Sequence, residues 1–210
     1  MANKIQICNI AISRIGARTI QSLSDNAKEA RECDRHYDFA RDAVLADHDW
    51  GFARKRLTLS LLTDTFSGWQ YAYVYPTDCI KARKIYDGTG AYTGTSYDID
   101  SDRVVQIGNV EYEIASSEDK DYRMILTDKE SAELFYTARI TDANLYSPQF
   151  ISALGFRLAA ELAVPIRSDS KLAQLMLDSY VRELGRARMI DANEDYKKPD
   201  EINSFVEARS

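Results

Sequence analysis

Several groups of residues in this chain have types and spacings that chemistry uses. Asp98, Asp100 and Asp102 alternate in the acidic loop "YDIDSD", and Glu111 and Glu113 alternate in "VEYEIA". Glycoside hydrolysis needs two carboxyl groups roughly 5–9 Å apart, one of them kept protonated by its surroundings, and residues two apart on a strand meet that distance. A polysaccharide-degrading enzyme is therefore one reading of the acidic pairs. An acidic chain also offers such pairs by chance, and the alternation turns these carboxylates toward solvent. No residue is assigned to catalysis.

Thiols and imidazoles come next. Cys33 and His36 are spaced to share a helix face, and Cys8 and Cys79 could join them. Zinc sites usually pair their ligands in tight CxxC or HxxxH units, and neither unit is present. Cys8 and Cys33 fall on apolar stripes, where a thiol packs as a small hydrophobe. No metal and no cofactor is expected. There is no GxSxG elbow, no GxxxxGK[ST] loop and no GxGxxG between a strand and a helix. The Gly-rich "DGTGAYTG" has the neighbours of a hairpin loop.

Basic residues cluster once, in "DHDWGFARKRLTL" (47–59). Arg54, Lys55 and Arg56 could bind phosphates while Trp50 or Phe52 stacks on a base, which makes a DNA-binding module a second reading. Against it, Trp50 continues a helical apolar stripe, and Asp47 and Asp49 stand just before the run. Short charge runs are usually solvated faces, so a structural corner is preferred. The formal net charge of −6 agrees, since a DNA reader normally carries a strongly basic face.

The elements that must position these groups follow from periodicity. Ile5, Cys8, Ile12 and Ile15 mark one face of a first helix, which Gly16 is placed to end. Ser24 or Asp25 can cap the next. Ala30, Cys33, Tyr37, Ala40 and Val44 step by three and four, and Phe39, Ala43, Ala46 and Trp50 form an adjoining stripe. That width predicts a second helix inside a bundle rather than on its edge. After Arg56 the period becomes two. "LTLSLL", "YAYVYP", "ARKIYD", "RVVQIG", "VEYEIA", "YRMIL" and "AELFYTARI" read as short antiparallel strands. In "VEYEIA" the residues Val110, Tyr112 and Ile114 share the buried face. Helix resumes at Ser147–Pro148, a cap followed by proline at the first helical position. Ile151, Leu154, Leu158 and Leu162 are its buried stripe and Pro165 its exit. A last helix, roughly 169–190, carries Leu172, Leu175, Met176, Leu177, Val181 and Leu184.

These elements predict an α+β protein. Residues 1–56 and 141–190 form a helical bundle from N- and C-terminal helix pairs, residues 57–140 an inserted antiparallel β subdomain, and residues 191–210 a polar C-terminal arm. Three cysteines are too few for a disulfide framework and suit a reducing compartment. No signal peptide is expected, and no apolar stretch as long as a membrane span. Thirteen tyrosines against seven phenylalanines suit half-wet aromatic surfaces such as interfaces.

A series of segments, in order over nearly the whole chain, resembles the tail tubular protein A family, the head-to-tail adaptors of short-tailed bacteriophages. They are "NIAISRIGARTIQSLSD", "CDRHYDFARDAVLADHDWGFARKRLTL", "WQYAYVYPTDCIKARKIYD", "ILTDKESAELFYTARITDANLYSPQFISALGFRLAAELAVPI", "YVRELGRARMIDANE" and the terminal "SFVEARS". In the family "HDWGFARKRLTL" is the junction between helix and β region, which favours the structural corner. The loop "DGTGAYTGTSYDIDSD" has no counterpart in it. The resemblance implies a structural virion protein, not an enzyme, made in the bacterial host cytoplasm and placed in the tail below the portal. It implies a dodecameric ring between portal protein and tail nozzle (tail tubular protein B). Viral DNA passes through the lumen during ejection without sequence-specific binding, and no membrane is involved. The implied interaction surfaces are the arm with Phe205, Val206 and Arg209, the β-unit loops, and the lateral faces of the bundle.

Overall fold

The computed structural model describes residues 3–63, 66–87, 95–98, 103–106, 110–117 and 122–194, of which 87, 95–98, 103–106 and 191–194 are described by their backbone alone. The fold is mixed α+β: four helices, with antiparallel sheets between the second and the third.

Helix α1 (Lys4–Arg14) opens on a reciprocal cap. Asn3 accepts from the Gln6 N–H at 2.8 Å, and the Gln6 side chain accepts from the Asn3 N–H at 3.0 Å. It ends in a Schellman turn, with Ala17 N–H donating to Ile12 O and Gly16 N–H to Ser13 O. Gly16 sits at φ 66°, where a side chain would strain the turn. Helix α2 (Lys28–Asp47) starts later than its expected caps. Asp25 instead accepts from the backbone of Gln21 and Ser22, closing a turn in the preceding loop, and Ala27 precedes the helix without a side-chain cap.

Helix α3 (Pro148–Arg167) is the centre of the bundle and packs against α1, α2 and α4 (Ser170–Glu194). Ser147 caps it by accepting from Phe150 N–H. Phe150, Leu154, Leu158 and Leu162 are fully buried, while Ile151 is only partly so. Two expectations change here. Pro165 lies inside the helix, which continues to Arg167 and closes on Ser168 at φ 54°. A proline in the last turn interrupts a single helical hydrogen bond, and the Ser168 N–H still closes on Val164 O at 2.9 Å, so the helix continues past it. The chain also holds a helix long and apolar enough to cross a membrane: α3 itself, with mean hydropathy 1.3 over its best window. Its apolarity goes to three helical neighbours.

Helix α2 lies at the edge of the bundle. Its first stripe is buried, but Phe39 is 77% exposed and Ala43 and Ala46 are partly so. One packed stripe is all that the single large neighbour α3 requires. Likewise Leu175 and Val181 lie on the outer side of α4, while Met176 and Leu184 are buried as expected, together with Tyr180 and Ala187. Helix α4 runs four residues into the segment expected to be the arm.

Between the helix pairs stand strands β1 (Arg54–Thr58), β2 (Tyr71–Val74), β3 (Cys79–Asp87), β4 (Thr95–Asp98), β5 (Arg103–Gln106), β6 (Glu113–Ser116), β7 (Arg123–Thr127) and β8 (Ala132–Ala138). They form antiparallel sheets in the orders β1-β8-β3 and β2-β7-β6, with β4-β5 as a separate ribbon. Strand β1 begins at Arg54, before the expected change of period. The two larger sheets share one core, in which Tyr73 and Ile125 meet Ile85, Leu134 and Tyr136. Met124, Leu126 and Ala72 face the other way, into a smaller cluster with Trp69. Strand β6 covers only 113–116, and Ile114 on it is 38% exposed because β6 is an edge.

Candidate interaction surfaces

The basic corner resolves into separate contacts. Trp50 is fully buried, donates its indole N–H to Val44 O at 2.8 Å, and meets Phe150 edge-on at 5.1 Å. Phe52 packs beside it against Phe150 and Tyr146. Neither ring is a platform for a base. Arg54 pairs with Asp49 at 3.1 Å and Lys55 with Asp78 at 2.7 Å. Alternation along β1 turns Lys55 to the face opposite Arg54 and Arg56. Arg56 lies over the rings of Tyr86 (5.2 Å) and Phe135 (5.8 Å).

The thiols divide between two cores. Cys8 and Cys33 are buried together in the bundle, and Cys79 is buried in the β unit. Cys33 is pushed up by its hydrogen bond with Cys8, then by burial, so it packs as a neutral thiol. His36 is half-buried beside Glu32 at 3.5 Å. Among the described residues no group of three potential ligands converges on a metal position. Glu111 and Glu113 are exposed, and Glu113 accepts from the Trp69 indole at 3.0 Å. Asp98 is described by its backbone alone, and Asp100 and Asp102 lie outside the described residues. So do Phe205, Val206 and Arg209.

What the sequence reading missed is the seam between bundle and β unit. A bulge in β3 between Ala82 and Lys84 adds Arg83 to the strand. Its guanidinium reaches the open C-terminus of α2, donating to His48 O at 2.6 Å, Ala46 O at 3.1 Å and Leu45 O at 3.4 Å, while Nε donates to Thr137 Oγ1 at 2.9 Å. The end of a helix carries unpaired carbonyls and partial negative charge, so a cation there is doubly suited. Burial lowers the Arg83 pKa, and Asp49 opposes that shift. From the other side α4 reaches the same place. Tyr180 donates to Asp47 Oδ2 at 2.6 Å and Arg188 to Asp47 O at 3.0 Å. Burial, then the Asp47 acceptor, raises Tyr180 and keeps it protonated. No local pattern announces this hub: the Arg83–His48 partners are 35 residues apart and the Arg188–Asp47 partners 141.

Two further contacts tie the junction. Asp78 accepts from Lys55 and from Tyr136 (3.1 Å). Burial works against its charge, but these donors hold it below the usual carboxylate range. Arg41, 7% exposed, bridges Asp38 and Asp42, and Asp42 also receives Arg139. A surface depression of about 730 Å³ is lined by Arg18, Gln21, Asp25 and Asn26 of the loop before α2 and by Glu29 in its first turn.

No family model fits the chain, and no curated protein matches it significantly. The remaining surface signal is apolar. Phe39 on α2 (77% exposed) and Val181 (62%), Met189 (71%) and Leu175 (53%) on α4 lie on outer sides of the bundle. Apolar exposure of this kind is ordinary, and here a phenylalanine and three large aliphatic side chains share two helices.

Proposed function

We propose that this chain is a structural virion protein, a head-to-tail adaptor that closes a dodecameric ring between portal protein and tail nozzle and lets DNA pass during ejection. The observation that carries the reading is the ordered series of adaptor-like segments, spread over nearly the whole chain. Two features support it. A bundle built from both ends of the chain with a β unit between them is the layout the family implies, and the exposed apolar residues of α2 and α4 offer lateral surfaces. The chemistry is assembly: subunits join the portal of a filled head, pack side by side and form the platform for the nozzle. An acidic wall suits a DNA conduit, because a lumen that held phosphates would slow ejection.

The test is the mass of the portal ring from the same genome, before and after mixing with this protein. An increase that saturates at one chain per portal subunit is expected. No increase, with a competent portal and folded protein, would overturn the adaptor reading. Release of reducing sugar from host capsule, or salt-dependent duplex binding, would then point to the enzyme or DNA-binding readings. Removal of residues 195–210 is expected to abolish portal binding and leave the circular dichroism spectrum nearly unchanged.

A further inference from the structure

The β1-β8-β3 sheet turns a second face away from the core it shares with β2-β7-β6, and the end of this face at Thr137 is fully buried beside the end of α2. Register places its side chains in rows: Arg54, Thr137 and Lys81; then Arg56, Phe135 and Lys84; then Thr58, Glu133 and Tyr86. The alternate residues Leu134, Tyr136 and Ile85 point into the core. Arg54 pairs with Asp49, and among the described side chains of these rows Arg56, Lys81 and Lys84 stand against one carboxylate, Glu133. Arg56, Lys81 and Lys84 are exposed, while Phe135 and Tyr86 are half-buried under the Arg56 guanidinium. The centre of the face is thus aromatic and its flanks are cationic.

We propose that residues 200–207 of the same chain, "DEINSFVE", dock on this face. The segment carries Asp200, Glu201 and Glu207 around Ile202, Phe205 and Val206. Its charge is opposite to that of the face, and its apolar side chains match the two rings. Position supports the assignment. Arg188 near the end of α4 binds Asp47 O, Arg83 binds the next carbonyl, and the same guanidinium holds Thr137 in the first row of the face. From Thr137 to Phe135 is about 7 Å along the strand. From Glu194, where α4 ends, the chain can span up to about 20 Å by residue 200. The tether holds the segment at an effective concentration on the order of millimolar, enough for a weak contact to persist. Duplex DNA is a poorer fit, because Glu133 stands opposite Tyr86 and next to Phe135 on its strand and would face a phosphate. The proposal is independent of the adaptor reading, being a property of the isolated chain. In an adaptor the contact would hold the arm until a partner displaces it.

The test places the photo-crosslinker benzoylphenylalanine at position 205 of the full chain and maps the products by mass spectrometry. Cross-links to peptides containing Arg56, Tyr86 or Phe135 are expected, within single chains and independent of dilution. The double variant R56E/K84E should lower the cross-linked fraction about five-fold, the scale of two exposed ion pairs, with an unchanged circular dichroism spectrum. D200K/E201K added to it should restore the yield. Cross-links only between isotopically distinct chains would overturn the intrachain assignment, and so would cross-links elsewhere or none. Duplex binding that R56E/K84E abolishes, without cross-links to the face, would make it a nucleic-acid surface and the proposal wrong.

Discussion

Replacing Arg83 by alanine tests whether the bundle and the β unit are one cooperative structure. The guanidinium makes two good hydrogen bonds to carbonyls at the end of α2 (2.6 and 3.1 Å), a longer one at 3.4 Å, and one to Thr137 Oγ1 at 2.9 Å. A hydrogen bond from a charged donor is worth roughly 1.5–3 kcal/mol when buried, and a cation at a helix C-terminus adds roughly 0.3–1 kcal/mol. These do not add, because Arg83 is only half-buried and water can replace part of what it gives. The net loss for Arg83→Ala is therefore about 2 kcal/mol, near thirty-fold in the folded-to-unfolded ratio. Lysine keeps the charge but not the fork, and should recover less than half. The chain reports on its own two parts, since Trp50 lies in the bundle core and Trp69 beside the small β cluster. With 5-fluorotryptophan, fluorine NMR in a urea series follows each separately. In the parent protein both signals should change at one midpoint, and in Arg83→Ala both should shift to lower urea. A variant within about 0.5 kcal/mol of the parent would refute the seam as an energetic link, because surface changes fall within that range.

Other expectations follow from the same structure. A methyl group at Gly155 would stand 2.7 Å from Arg14 Nη1 and 2.9 Å from Ile10 Cγ2, so Gly155→Ala should cost about 1–3 kcal/mol by thermal denaturation as α1 is pushed off α3. Trp50→Ala should cost about 3–5 kcal/mol by cavity formation, whereas Trp50→Phe should cost far less, read by urea midpoint. Burial raises Tyr37, Tyr75, Tyr146 and Tyr180, and Tyr136 is pushed up to about 12 by burial and then by Asp78. Above pH about 10 the unfolded chain sheds phenolic protons that the folded chain keeps, so stability must fall as pH rises from there; a melting temperature unchanged between pH 9 and 11 would contradict this. Phe39→Ser should change stability by no more than about 0.5 kcal/mol yet weaken assembly onto the portal, measured by ring mass.

Much of the local structure was legible because short-range physics sets it. The Ser147–Pro148 start, the Gly16 stop and the stripe from Ala30 to Val44 each depend on residues within a turn or two, and the structure has them where the spacing puts them. Alternation likewise foretold strands following the second helix, although β1 begins at Arg54 and not after Arg56, and the place of Trp50 in a stripe foretold its burial. What failed were inferences about how many sides of a helix would be covered. Phe39, Leu175 and Val181 satisfy a helical pattern as well as Leu154 does, but whether an apolar stripe is buried depends on what stands opposite. Helix α3 packs against three other helices. The strand "VEYEIA" failed in part for the same reason: alternation gave the faces, while the edge position of β6 decided that Ile114 is wetted.

The sequence by itself therefore determined the class of the fold, the order of its parts and the corner between them, since periodicity and capping act over a few residues. Tertiary structure alone decided the seam. Arg83, Asp47, Tyr180 and Arg188 are unremarkable in their own segments and meet because a bulge re-aims one side chain and α2 ends against the side of α4. The same packing turned "RKR" from a patch into three unlike contacts, because successive residues of a strand face opposite ways and each finds its partner on another element.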